Sequence, residues 1–124
     1  MTVSVRILAT AAAMVLVLAA GDVADAKPKA AAPPNAANAE LMKMTPEERA
    51  AKLAEKVGGW CIGTRAFLMG IVRGGPRPGS AYWSLECADG RSFAIELDRD
   101  GIGTVIDCPS YERASFGKKC FKKL

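Results

Sequence analysis

The strongest constraint on this chain is the alternation that begins at Ala81. Ala81, Trp83, Leu85 and Cys87 interleave with Tyr82, Ser84 and Glu86, a period of two that suits a strand with one buried face. Asp89-Gly90 follows, the dipeptide that favours a type I′ hairpin turn. Phe93, Ile95 and Leu97 then alternate against Ala94, Glu96 and Asp98, Asp100-Gly101 makes a second turn, and residues 104–108 return as a further strand. Such a run predicts an antiparallel meander with one face buried and one wet.

Ahead of the meander the period is helical. Thr45 suits an N-cap, Pro46 the first helical position, and Glu48 closes a capping box three residues after Thr45. Ala50, Leu53, Ala54 and Val57 then recur on one face, and Gly58-Gly59 stops the helix, so one amphipathic helix is expected over residues 46–57. The apolar runs at 60–62 and 67–73, broken by Gly63 and Gly70, read as one bent strand or two short ones. Proline and glycine exclude residues 74–79 from any strand, so they form a loop. After Pro109 the chain leaves the sheet, with room for a short helical turn over 111–115 before Gly117 opens a lysine-rich tail. The predicted fold class is therefore α+β: one amphipathic helix packed on a three- to four-stranded antiparallel meander.

The first residues have the order of a secretory leader. Arg6 precedes an uncharged apolar run over residues 7–20, and Ala24-Asp25-Ala26 offers a small-x-small cleavage site. That run of 14 residues is shorter than the roughly 20 needed to cross a bilayer. The expected division is a signal peptide over 1–26, a tether over 27–44 and a disulfide-containing domain over 45–124. Residues 27–38 hold no large apolar side chain and cannot offset the entropy of ordering, which makes them a flexible tether, with a turn accommodated over 39–44. Cleavage leaves 98 of the 124 residues, with 16 basic and 11 acidic side chains. This modest positive excess favours acidic proteins or an anionic envelope polymer as partner over nucleic acid. A membrane is met only transiently, through the leader, and the destination is periplasmic or secreted.

Four cysteines fit an oxidising compartment and a domain of about 85 residues, small enough to need staples. In a meander Cys87 and Cys108 flank the middle strand, ~9.6 Å apart, beyond the ~7 Å limit for bridging. Of the two pairings left, the preferred one is Cys61–Cys87, joining the first strand to the second, with Cys108–Cys120, tying the tail to the sheet. Neither C-x-x-C nor paired zinc-type spacing occurs, so redox chemistry is an alternative of lower rank and no metal or cofactor is expected.

The chain contains no histidine, which excludes histidine-based triads and histidine-containing metal sites. Asp89, Asp98, Asp100 and Asp107 fall at turns or on the wet face and read as turn chemistry; Asp98-Arg99-Asp100-Gly101 lacks the ligands of a calcium loop. No catalytic set is visible, and the chain reads as a non-enzymatic exported binding or accessory module. Its candidate binding residues are Arg73 and Arg77 in the stiff Gly/Pro loop, Tyr82, and Lys118, Lys119, Lys122 and Lys123 in the tail. Trp83 shares parity with Leu85 and goes to the core, which leaves Tyr82 as the surface aromatic; Trp60 is a further aromatic. The alternatives are a thiol-active envelope redox protein and a structural envelope component.

Overall fold

The computed structural model describes residues 34–101 and 103–124. The leader and residues 27–33 of the expected tether lie outside them. Three helices and four strands follow one another: α1 (Ala36–Lys43), α2 (Pro46–Val57), β1 (Gly63–Ile71), β2 (Ala81–Cys87), β3 (Ser92–Leu97), β4 (Gly103–Asp107) and α3 (Cys108–Ala114). The strands form one antiparallel sheet in the order β1-β2-β3-β4, the meander that the alternation and turn residues predict. Trp83 stands opposite Leu68 on one side and Ile95 on the other. The β2–β3 connection is not the expected type I′ turn, which needs a positive φ at both central residues: only Gly90 has one, +86°. Cys87 N–H donates to Arg91 O across a three-residue loop in which Asp89 Oδ1 accepts the Arg91 N–H at 3.0 Å.

One face of the sheet lies under α2. The helix starts where its caps require: Thr45 Oγ1 accepts the Glu48 N–H at 3.2 Å, and Glu48 Oε2 accepts the Thr45 N–H at 2.9 Å. Its stripe of Ala50, Leu53 and Ala54 is buried with Trp83, Leu85, Ile95 and Leu97. Small residues set the spacing of the two layers. A side chain at Gly63 would collide with the Ala50 carbonyl oxygen, so β1 and α2 pack backbone to backbone there. Of the apolar runs at 60–62 and 67–73, the strand takes in only Gly63–Ile71, with two register irregularities, at Gly63/Arg65 and Leu68/Gly70; Trp60 and Ile62 precede it.

α1 corrects the reading of residues 27–44 as tether. Residues 35–44 belong to the domain, and the single expected helix is one of three. The hold on α1 is polar, which an apolar-surface argument overlooks. Asn35 caps the helix by accepting the Asn38 N–H at 2.9 Å, and its Nδ2 donates to Gly79 O at 2.9 Å and Leu97 O at 3.0 Å. Asn38 Oδ1 accepts the buried Trp83 Nε1–H at 2.8 Å. Leu41 adds an apolar anchor. Arg49 donates to Leu41 O and Met44 O, closing the C-terminal end of α1, and lies 5.4 Å from the Trp83 ring.

The second sheet face, expected to be wet, is also covered. Met69 and Ala94 are buried there with Tyr111 of α3, and Phe67, Tyr82, Ile106 and Cys120 pack around them. Cys108 opens α3 instead of ending β4, because Asp107 is an N-cap that accepts the Ser110 N–H at 2.9 Å, with Pro109 in the first turn. The tail then crosses the sheet. The Phe121 N–H donates to buried Ser84 Oγ at 2.9 Å, and the Leu124 N–H to Met69 O at 3.1 Å. The disulfides are Cys61–Cys87 and Cys108–Cys120, with Cα atoms 5.3 Å and 5.9 Å apart. The first lies within the α2-covered core; the second ties α3 to the tail.

Candidate functional site

The β1–β2 connection is shut at its base. Val72 N–H donates to Ser80 O at 2.9 Å and Gly79 N–H to Val72 O at 2.7 Å, while Asn35 holds Gly79 from behind. Beyond that neck the loop stands exposed, and Arg77 leans back towards the sheet. Its Nη1 is 3.3 Å from both carboxylate oxygens of Glu96, a residue whose side chain keeps only 11% of its surface. Tyr82 stands directly across the β2–β3 ladder from Glu96. Burial, reinforced by this carboxylate, pushes the Tyr82 hydroxyl up to about 12.

Two adjoining depressions share Val72 and Tyr82. Gly74, Pro76, Arg77 and Glu96 complete one; Tyr111, Ala114, Ser115, Phe116, Lys118 and Leu124 complete the other. The two meet at Tyr82, with the Arg77–Glu96 ion pair on the Gly/Pro-loop side and Lys118 on the side of the turn after α3, and together form a groove. Of the expected binding residues, Arg77, Tyr82 and Lys118 meet along it. Arg73 is exposed at the start of the loop and lines neither depression, and Lys119 and Lys122 are exposed on the tail. Lys123 folds inward, donating to Leu68 O at 2.8 Å and lying 5.2 Å from the centre of the Phe67 ring. Glu96, Tyr111 and Phe116 complete the groove and are absent from the expected set. Glu96 was not within reach of the sequence: a two-residue Asp89-Gly90 turn would set Tyr82 opposite Leu97, and only the three-residue connection over 88–90 sets it opposite Glu96. Nothing local marks Phe116.

The rest of the surface offers less. A cleft of about 150 Å³ opens between α1, α2 and the end of β3, with apolar walls at Leu41, Met44, Leu53 and Leu97. It is smaller than the ~300–1,000 Å³ usual for small-molecule sites. Trp60 is half-exposed, but Arg91 stacks 3.7 Å above its ring and Phe93 meets its edge at 5.7 Å, so it is not an open stacking platform. The turn carboxylates do what their positions predict. Asp98 Oδ1 accepts the Asp100 N–H at 2.9 Å, and hydrogen bonds from Arg91 and Ser110 hold Asp89 and Asp107 below the usual carboxylate range. Among the described residues no cluster of three or more histidine, cysteine or acidic side chains could hold a metal ion, and no helix is long and apolar enough to cross a membrane. No family model, no curated protein and no solved structure matches this chain.

Proposed function

We propose that the chain is an exported, non-enzymatic binding module whose Tyr82 groove takes an acidic protein segment or an anionic envelope polymer. One observation carries this reading: cations from two distant segments, Arg77 of the loop and Lys118 of the tail, line depressions that meet at the same tyrosine. A ligand with regularly spaced negative charge can engage both ends while its backbone lies on Val72, Tyr82 and Tyr111. The Glu96 carboxylate, paired with Arg77, holds the first cation in place. Export, to the periplasm or beyond, is supported by the leader-like order of residues 1–26 and by the two disulfides. The same disulfides argue against thiol chemistry. Cys61, Cys87 and Cys108 are buried and Cys120 is half-buried, a placement suited to staples.

Polyphosphate, a soluble polyanion, tests the groove. Arg77→Ala and Lys118→Ala alter exposed side chains and leave the core intact. Each should weaken retention on immobilised polyphosphate by about three- to tenfold, and added salt should weaken the parent protein in the same direction. Retention of both variants at the parent level would remove the groove from the binding site.

A further inference from the structure

We infer that Phe116 and the lysines around it dock the domain on an anionic lipid bilayer. This rests on the proposed binding of an anionic envelope component and names that component for the tail end of the groove. Phe116 is fully exposed, at 102%, whereas the other large exposed apolar side chains among the described residues range from 39% to 71%. Its φ of 56° is a conformation that bulky side chains rarely adopt. Phe121 takes nearly the same φ, 57°, but gains contacts there: its N–H reaches Ser84, and its ring lies 3.9 Å from the Arg65 guanidinium and 6.4 Å from Phe67. Phe116 projects its ring from an equally unusual backbone into solvent.

The turn that presents it is held from within. Ser115 Oγ donates to Tyr111 O at 2.7 Å and lies 3.2 Å from Lys118 O, and the Gly117 N–H donates to Glu112 O at 3.1 Å. The Cys108–Cys120 disulfide brackets the whole segment. The ring is thus displayed on a stapled turn. Lys118 lines the same depression, Arg113, Lys119 and Lys122 of the same segment are exposed, and Glu112 is the only acidic side chain in the sequence between Cys108 and Leu124. Leu124, half-exposed, lines the same depression as Phe116 and Lys118.

This chemistry selects a bilayer over the other anionic partners. A water-soluble polyanion could pair with the lysines but has no apolar phase to receive the phenylalanine. A protein would need a matching pocket and roughly 800 Å² of complementary surface, whereas the feature here is one convex side chain. A fluid interface accepts an aromatic side chain without a matching pocket, and its anionic headgroups attract the flanking cations. The membrane contact thereby extends beyond the leader to the folded domain.

The test uses the full chain as isolated, with vesicles of phosphatidylcholine alone or mixed with phosphatidylglycerol. Phe116→Trp should show fluorescence quenching by brominated acyl chains beyond that of the parent, only on the phosphatidylglycerol vesicles, and diminished by salt. Phe116→Ser should bind those vesicles about tenfold more weakly than the parent protein. The extra quenching in Phe116→Trp reports the depth of that position alone, so binding through residues 1–26 cannot mimic it. Absence of extra quenching, or parental vesicle binding by Phe116→Ser, overturns the bilayer assignment. Arg77→Ala on polyphosphate continues to report separately on the groove.

Discussion

The two faces of the sheet are covered by different means. On the α2 side, Trp83, Leu85, Ile95 and Leu97 meet the stripe of α2 in an apolar core, and the cover is a capped helix of 12 residues. On the other side the cover is a 7-residue helix and an irregular tail, joined by Cys108–Cys120 and hung on single hydrogen bonds to Ser84, Leu68 and Met69. The first face carries cohesion. The second gives up part of its area to the Tyr82 groove and the Phe116 turn, so the less cohesive face is the one facing the candidate ligands. Binding loops and the segments that move are generally drawn from such regions.

Three perturbations probe this asymmetry. The largest effect belongs to Leu85→Ala, which empties a fully buried position in the α2-covered core and should cost about 2–5 kcal/mol. Native small domains hold only ~5–15 kcal/mol, so hydrogen exchange should accelerate on both faces together. Survival of full protection at Trp83 and Ile95 would contradict the central role given to that face. Next is the paired change Cys108→Ser with Cys120→Ser. It removes a staple spanning 12 residues and should cost about 3 kcal/mol by loop closure, but locally. Amides of Phe121 and Leu124 should exchange fast while those of β2 and β3 stay slow. Uniform acceleration would show that the two faces unfold as one unit.

The smallest effect is electrostatic. The Tyr82 hydroxyl titrates near 10 in an unfolded chain and at about 12 in the folded one, so folding favours its protonated form. That contribution is complete below pH 10 and disappears as pH rises through about 12. Tyr82→Phe should flatten this part of the alkaline stability profile. The phenolate absorbance assigned by difference to Tyr82 should emerge later than that of an ordinary tyrosine. Titration at the ordinary value would mean that Glu96 and burial do not act on the hydroxyl as the geometry implies.

What could be read in the sequence was local or periodic. Thr45, Pro46 and Glu48 mark the start of α2, Asp89-Gly90 marks a hairpin, and the parity of Trp83 and Leu85 marks the buried face; each works through neighbours a few residues away. The disulfide pairing was a geometric preference: strand spacing disfavours Cys87–Cys108, and of the two pairings left, Cys61–Cys87 joins neighbouring strands and Cys108–Cys120 ties down the tail. α1 escaped because Asn35 and Asn38 act on Gly79, Leu97 and Trp83, partners 44, 62 and 45 residues distant, and an asparagine in a polar segment carries no periodic signal. The tail escaped for a related reason. Four lysines suggest solvent, yet the bonds of Phe121 and Leu124 come from their backbone, which composition cannot reveal. For the groove, Arg77 and Tyr82 stood out by chemical type. Lys118 and Lys123 look alike in sequence, and only folding turns one towards the groove and the other onto Phe67.

The amide of Asn35 fastens the first described turn of the domain to both the root of the Gly/Pro loop and the end of β3. The polypeptide therefore enters the folded body beside Arg77's loop. A carrier protein or surface linkage joined directly ahead of Asn35 would therefore emerge beside that loop. A label for binding studies belongs instead on α2, whose outer row of Lys52 and Glu55 points away from the sheet.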